Sequence, residues 1–86
     1  MSFRVIIDKR ELNSPVAKAL EKLGANMSFK TLEVADYIVS ERVAFERKAI
    51  DDFLSSWLIE KKLFGQIGDL VRAYEKPVLI IEGGNP

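Results

Sequence analysis

The sequence contains no cysteine and no histidine, and these absences exclude whole classes of protein. A chain without cysteine cannot be held together by disulfides, and the loss of both residue types excludes a zinc site in practice. No apolar run approaches the roughly 20 residues that a membrane-spanning helix needs. The chain is therefore expected to depend on a packed apolar core for its stability.

Net charge is also absent, because 13 lysine and arginine residues balance 13 aspartate and glutamate residues. A neutral chain does not indicate nucleic-acid binding, so any such function must rest on local groups of residues. The hydrophobic content of 48% is typical of a globular domain rather than a disordered segment. A chain of 86 residues forms one small domain, which buries a modest share of its surface, so a dimer partner is expected to add stability.

The spacing of apolar residues predicts the element order β-α-β-β-β-α-α-β. A first strand covers residues 3–8, and Ser14 followed by Pro15 is typical of a helix start, with Gly24 at the helix end. The other predicted strands are 27–32, 37–40, 43–48 and 78–81, and the other helices are 50–58 and 63–74. This order favours an α/β sandwich with an antiparallel hairpin inside a mixed sheet.

The last predicted strand carries a continuous apolar run after Pro77, which is expected to end the preceding helix. Such a run is typical of a central strand that is covered on both faces. Residues 83–86 follow it directly, so we expect further elements of the fold beyond the end of this sequence. The helices present more apolar residues than one small sheet can cover, which favours a dimer. These residues are Trp57, Phe64, Ile67, Leu70 and Tyr74.

A dense group of charged residues lies on the strand at 43–48. Residues two apart on a strand share a face, so Glu46 and Lys48 point the same way and Arg47 points to the other side. Carboxylates bind hard divalent cations, which activate water and offset charge on a phosphate, and a nearby lysine can assist. The pattern therefore fits cleavage of a phosphodiester by metal-activated water.

Asp36 can join Glu46 in only one register of the hairpin. A two-residue turn would pair Asp36 with Arg47 and place it on the opposite face from Glu46. A three-residue loop or a bulge would pair Asp36 with Glu46 and bring both carboxylates to one cation. Because the turn lacks Asn-Gly or Gly-Gly, we predict the second register.

Simpler interpretations exist for each of these charged residues. Charges paired across a hairpin usually form a solvated network on the surface. Asp52 fits the favourable position of an acid in the first turn of a helix. Asp8, Arg10 and Glu11 could form a polar turn, although loops after strand ends are where α/β folds place functional residues.

Five short segments follow one another in the order of a known nuclease signature. The segments Val-Ala-Asp-Tyr at 34–37 and Phe-Glu-Arg-Lys at 45–48, with Asp52, resemble the G-D…E-R-K-x-x-x-D signature of the XPF/Hef family of structure-specific nucleases. Residues 7–11 resemble its V-D-x-R-E segment, 63–66 its L-F-x-Q stretch and 81–83 its V-E-G strand. Ala35 departs from the family's glycine and would be strained if its φ were positive.

The resemblance implies a restriction-endonuclease-like core of the PD-(D/E)XK class, with a mixed sheet flanked by helices and Mg²⁺ or Mn²⁺ at the site. By position, it makes Asp36, Glu46 and the carbonyl of Arg47 metal ligands, and Lys48 the catalytic lysine. The remaining residues of the family signature, which would support the site or contact phosphate, are Asp8, Arg10, Glu11, Arg47 and Asp52.

The implied activity is that of an endonuclease that cuts 3′-flap, fork or related branched DNA in repair or replication-fork processing. Residues 1–86 would form its nuclease domain, cut short at the C-terminus, before a helix-hairpin-helix module. The arrangement resembles the short archaeal form of the family, which implies a homodimer and binding of the sliding clamp PCNA through a region outside this sequence. A location with DNA in the archaeal cytoplasm, or in a eukaryotic nucleus, and no membrane association are expected. The alternative is a catalytically silent relative that binds DNA or supports a partner.

Overall fold

A five-stranded mixed sheet forms the centre of the protein in a computed structural model that describes residues 3–83. Its order is β2-β1-β3-β4-β5, with β1 parallel to β2, β4 parallel to β5, and antiparallel pairing of β3 with both β1 and β4. Residues 84–86, beyond which we expected further elements of the fold, lie outside the described part. The strands are β1 (Arg4–Asp8), β2 (Asn26–Lys30), β3 (Tyr37–Ile38), β4 (Val43–Ala49) and β5 (Lys76–Glu82).

The helices follow the predicted order but differ from it in extent. A 3₁₀ turn (Lys9–Glu11) follows β1, and α1 spans Pro15–Lys22. The helix predicted at 50–58 is instead α2 (Ile50–Leu54) continued by a π-helical turn (Ser55–Ile59), and α3 spans Leu63–Ala73. None of the helices in residues 3–83 has the length and apolar character to cross a membrane.

The start and end of α1 confirm the signals in the sequence. The Ser14 hydroxyl accepts a hydrogen bond from the backbone N–H of Ala17 at 3.1 Å, which satisfies a donor that the first turn leaves free. Pro15 occupies the first helical position. Gly24 follows the helix with φ of 83°, a conformation that glycine adopts without strain.

Two apolar clusters lie on opposite faces of the sheet. On one face, Val5, Ile7 and Tyr37 pack against Val16 and Leu20 of α1. On the other face, Ala35 and Ala44 pack against Leu70 of α3 and the neighbouring Tyr74. The two faces are therefore covered by different helices, and the alternation of side chains along β4 decides which face each residue serves.

The structure corrects our prediction for the last strand. In residues 3–83, β5 lies at the edge of the sheet beside β4, and Val78 and Ile81 are 38% and 44% exposed. The apolar run suggested a central strand because periodicity alone does not report how many neighbours a strand has. Pro77 does not end α3, which ends at Ala73; it lies within β5, where an edge position tolerates the missing N–H.

The register of the β3–β4 hairpin is the one that we predicted from the turn. Tyr37 pairs with Phe45 and Ile38 with Ala44, and the Val39 N–H donates to the Val43 carbonyl at 3.2 Å. The loop therefore contains the three residues 40–42. Its Ser40 hydroxyl accepts hydrogen bonds from the backbone N–H groups of residues 42 and 43, which holds the loop length that sets the register.

Ala35 turns the chain into β3 at an energetic cost. Its φ is 76°, in the left-handed region that an alanine methyl group disfavours by about 1 kcal/mol. The methyl group is buried against Ala44 and Leu70, which offsets part of this strain. Alanine at the position of the family's glycine is thus tolerated because its side chain fills space in the core.

We expect Ala35→Gly to destabilise the protein less than the matched change Ala44→Gly. Each variant loses one buried methyl group and gains conformational freedom in the unfolded chain. Together these two effects lower the free energy of unfolding by about 1.5 kcal/mol. Only Ala35→Gly also relieves the strain of positive φ, which returns about 1 kcal/mol. Urea denaturation measures both free energies of unfolding, and equal losses would show that Ala35 is not strained.

Candidate active site

Three candidate residues line up with a lysine in one row across the sheet. The last residue of β1, Asp8, lies opposite Asp36 when the β1–β3 register is continued, and the Asp8 N–H donates to the Asp36 carbonyl at 2.8 Å. Glu46 follows Phe45, the partner of Tyr37, on β4, and the charge of Asp36 raises the pKa of Glu46 in addition to burial, so the two carboxylates are neighbours. Lys30 completes the row because it pairs with Asp8 from β2. The fold thus gathers residues from distant parts of the sequence at one edge of the sheet.

Asp36 is held at its backbone and at its side chain. Its N–H donates to the Phe45 carbonyl at 2.9 Å, an offset from regular antiparallel pairing that marks a bulge at this residue. One carboxylate oxygen accepts a hydrogen bond from the Arg47 N–H at 2.8 Å. These bonds fix the carboxylate beside β4.

Asp36 and Glu46 form a carboxylate pair with unfavourable electrostatics. Burial raises the pKa of Asp36, and the charges of Glu11 and Asp8 raise it further against the opposing hydrogen bond from Arg47. Burial also raises the pKa of Glu46, as does the charge of Asp36, while Lys48 and Arg10 lower it. The pair therefore costs free energy when both members are ionised, which is the condition that a bound cation relieves.

Lys48 and Asp52 differ in how closely they join this pair. Lys48 is half-buried on β4, two residues from Glu46 and on the same face, and its charge acts on Glu46. Asp52 is exposed in the first turn of α2. Within residues 3–83 no ion pair or side-chain hydrogen bond connects Asp52 to the other candidates, so its role stays a prediction.

Asp8 has a structural task, and Arg10 depends on it. One Asp8 oxygen accepts from the Leu32 N–H at 2.8 Å, and the other accepts from the Arg10 N–H and Nε at 3.0 and 2.6 Å. Burial alone would raise the pKa of Asp8, but these hydrogen bonds lower it overall. The Arg10 side chain is 72% exposed. Its pKa is raised by the bond to Asp8 and further by the charges of Asp36 and Glu46. Arg10 is thus a fixed cation at the rim of the site.

Arg47 and Glu11 form an ion pair on the opposite face of the sheet. The Arg47 guanidinium donates to both Glu11 oxygens, from Nε at 2.6 Å and from Nη2 at 3.1 Å, and its Nη1 donates to Glu82 at 3.2 Å. Tyr37 donates its hydroxyl proton to Glu11 at 2.7 Å. Burial opposes ionisation of Glu11, but these partners lower its pKa overall. Burial raises the pKa of Tyr37 to about 12, and the hydrogen bond that Tyr37 donates to Glu11 contributes to this rise.

A small polar cleft lies beside Glu46 and contains residues that the sequence analysis did not single out. Its volume is about 160 Å³. Glu33 from the loop before β3 and Gln66 and Asp69 from α3 line it together with Arg10 and Glu46. The only signal for Gln66 in the sequence was its place in the L-F-x-Q resemblance; Glu33 and Asp69 carried none.

The donor set suits a hard cation with few protein ligands. Among residues 3–83 no group of three or more acidic or histidine side chains is placed to hold a metal ion. Asp36 and Glu46 supply two carboxylates, which is the number that Mg²⁺ often takes from a protein while it keeps several waters. The pair therefore fits Mg²⁺ or Mn²⁺, and the contribution of the Arg47 carbonyl stays a prediction.

Comparison with known sequences gives a match over nearly the whole chain. The family model described as the ERCC4 domain matches residues 7–86. A Methanocaldococcus jannaschii protein named as an ATP-dependent RNA helicase is 49% identical over 82 residues, which are 95% of this chain and 10% of that protein. The 3′-flap repair endonuclease Xpf of Saccharolobus solfataricus is 39% identical over 83 residues, which are 96% of this chain and 35% of that enzyme.

Comparison with solved structures gives the same fold. The chain is similar to XPF from Aeropyrum pernix in complex with DNA, with a TM-score of 0.86 and 41% identity. The match covers 95% of this chain and 40% of that chain. The mixed sheet flanked by helices is thus the restriction-endonuclease-like fold that the sequence resemblance implied. This chain spans about a third of the Saccharolobus enzyme and a tenth of the Methanocaldococcus protein.

We expect Glu11→Gln to destabilise the protein at neutral pH by about 2 kcal/mol, because it replaces the charged partner of Arg47 by a neutral amide with a single acceptor oxygen. The pKa of Glu11 is lower in the folded state than in the unfolded state, so its ionised form stabilises the fold. This contribution is complete above the ordinary pKa of glutamate and disappears as pH falls through the lowered folded value.

Denaturation of wild type and Glu11→Gln between pH 7 and pH 3 measures this effect. The difference in free energy of unfolding should shrink on acidification. Glu21→Gln on the exposed surface of α1 serves as the control and should show little difference at any pH. A Glu11→Gln effect that stays constant down to pH 3 would contradict the prediction.

Proposed function

Because this chain belongs to the ERCC4 domain family, we propose that it is the nuclease domain of a divalent-metal-dependent endonuclease that cuts 3′-flap, fork or related branched DNA. The 3′-flap name of the Saccharolobus relative and the DNA-bound Aeropyrum neighbour support this substrate class. Phosphodiester hydrolysis is the proposed reaction.

The observation that carries the proposal is the pair of carboxylates beside one lysine. Asp36 and Glu46 share a face of the sheet, and burial raises the pKa of each. The charge of Asp36 raises the pKa of Glu46 further, and the charges of Glu11 and Asp8 do the same for Asp36. A surface network would instead give each carboxylate a cationic partner. In this protein Asp8 and Glu11, the carboxylates that would support the site, have such partners in Arg10 and Arg47.

Asp36 and Glu46 would hold Mg²⁺ or Mn²⁺, with the carbonyl of Arg47 as a further ligand. When bound, such a cation lowers the pKa of a coordinated water and offsets charge on the phosphate. Lys48 lies two residues beyond Glu46 on the same face, where its ammonium group can orient the attacking water or stabilise charge on the phosphate oxygens. Attack in line with the leaving oxygen would then complete hydrolysis.

The remaining residues of the signature position this pair or bind DNA. Arg10, fixed through its Nε by Asp8, can donate from the rest of its guanidinium group to a phosphate beside the reacting one. The Arg47 side chain anchors β4 to the 3₁₀ turn through Glu11, while its N–H orients Asp36. Asp52 would act as a supporting acid from α2.

The wider assignment is part of the same proposal. The relatives are longer than this chain, so residues 1–86 would form the nuclease domain of a larger protein that also carries a helix-hairpin-helix module. The sliding clamp PCNA would bind the region outside this sequence. These partners stay predictions that rest on the family resemblance.

We expect Glu46→Gln and Lys48→Ala each to reduce flap cleavage at least 10²-fold, the usual scale for removing one electrostatic contributor to a transition state. The two variants should differ in metal binding. Glu46→Gln removes charge from the cation site, so Mn²⁺ binding measured by calorimetry should weaken. Lys48→Ala removes a group that acts on water or phosphate, so Mn²⁺ binding should stay nearly unchanged.

Stability provides a readout that does not depend on cleavage. Without divalent cations, Glu46→Gln should raise the melting temperature because it removes one of two repelling carboxylates. With Mn²⁺, the wild type should gain stability and Glu46→Gln should gain much less. Normal cleavage by both variants would assign the strand to a surface ion-pair network. A wild type that binds flap DNA and never cuts it with Mg²⁺ or Mn²⁺ would favour a catalytically silent relative.

An exposed apolar surface supports the proposed homodimer. Trp57, Leu58 and Ile59 of the π-helical turn and Phe64 of α3 are all exposed. Leu70, which we also expected at this surface, is instead buried against Ala35 and Ala44. Four large apolar side chains exposed within eight positions of the chain are typical of an interface between proteins.

We expect Phe64→Lys to shift the protein from dimer to monomer, because a charge would be buried at the interface. Leu23→Lys is a matched control, since Leu23 and Phe64 are both 73% exposed and Leu23 follows α1. Sedimentation over a dilution series measures the dissociation constant, which only Phe64→Lys should raise. A wild type that stays monomeric at every concentration would argue against the dimer.

A further inference from the structure

Cationic side chains continue from the carboxylate pair toward β2. The cleft beside Glu46 is lined by Glu33, Gln66 and Asp69 together with Arg10, and Asp69 is paired with Arg72. Arg10 is also bound to Asp8, from which the cross-strand row continues to Lys30 on the β1–β2 side. A phosphate chain that passes Arg10 in this direction therefore reaches a second cation, Lys30.

Lys30 points to the same face of the sheet as the carboxylate pair. Met27 and Phe29 of β2 both pack against the cluster beneath α1, and Phe29 directly precedes Lys30. Alternation along the strand places Lys30 on the opposite face, and its parallel pairing with Asp8 gives the same result. The Lys30 side chain is exposed, and none of the ion pairs found among residues 3–83 includes it.

We propose that the backbone of one DNA strand crosses the sheet along this row, from Glu46 past Arg10 to Lys30, and that Lys30 binds a phosphate of the same strand a short distance from the reacting one. This inference rests on the proposed nuclease function and adds to it a direction for the DNA and a positioning residue. Lys30 lies outside the segments that carry the family resemblance, so the assignment comes from the sheet register and the charge distribution.

The dimensions of the sheet agree with this path. From β4 to β2 there are three steps between adjacent strands, so Lys30 lies about 14 Å from Glu46 along the row. The rise of about 3.4 Å per nucleotide is measured along the duplex axis, and successive phosphates of one strand lie about twice as far apart, so this distance corresponds to about two nucleotides. Lys30 would thus act on the duplex arm beside the scissile phosphate and set its register against Asp36 and Glu46.

The test is the salt dependence of DNA binding by the protein, measured by fluorescence anisotropy with a labelled 3′-flap DNA and no added divalent cation. Each phosphate contact contributes about 0.9 to the slope of log affinity against log salt, so Lys30→Ala should lower the slope by about that amount. Raising salt from 50 to 200 mM should then weaken the wild type about 3.5-fold more than Lys30→Ala. Lys30→Arg keeps the charge and should retain the wild-type slope.

Lys18→Ala is the matched control, because Lys18 is an exposed lysine on α1, which covers the opposite face of the sheet. It should leave the slope unchanged, and Lys30→Ala should raise KM for cleavage with little change in kcat. A Lys30→Ala slope equal to that of Lys18→Ala would overturn this inference and leave the nuclease proposal standing. A wild type that fails to bind flap DNA even at low salt would overturn both.

Discussion

The pairing register of β3 with β4 is the constraint on which the candidate site depends. Successive residues of a strand point to opposite faces, so a slip of one residue would move Asp36 away from Glu46 and place it beside the Arg47 side chain. The three-residue loop at 40–42, held by the Ser40 hydroxyl, fixes this register from one end. The hydrogen bond from the Arg47 N–H to the Asp36 carboxylate fixes it from the other. The bonds of Ser40 are local, whereas the Arg47–Asp36 bond joins residues that are eleven positions apart in the chain.

The same alternation divides the charged residues between two tasks. Arg47 lies on the face toward α1, where it binds Glu11 and Glu82. Its ion pair with Glu11 connects β4 to the turn after β1. The face toward α3 receives Glu46, whose pKa is raised by burial and by Asp36. Glu11 therefore adds stability in its ionised form, while the carboxylate pair reduces stability when both of its members are ionised. The fold thus stabilises an arrangement that is unfavourable by itself.

Ala35 shows how this arrangement affects the backbone. The chain must reverse direction tightly before Asp36, and the residue that does so has a positive φ. Glycine would adopt this conformation without strain, but alanine adds a methyl group to the cluster with Ala44 and Leu70. Strain at one residue is thus balanced by packing of the same residue. The position of Asp36 follows from both, because its backbone is bonded to Asp8 and Phe45 on either side.

The sequence alone determined the order of strands and helices, the cap at Ser14, the shared face of Glu46 and Lys48, and the family resemblance, because each depends on residues close together in the chain. Even the hairpin register could be predicted, since loop residues set it. The edge position of β5, the π-helical turn after α2 and the burial of Leu70 could not be predicted, because they depend on which elements pack together. Only the tertiary structure brought Lys30, Asp8, Asp36 and Glu46 into one row, since their alignment requires three strand registers at once.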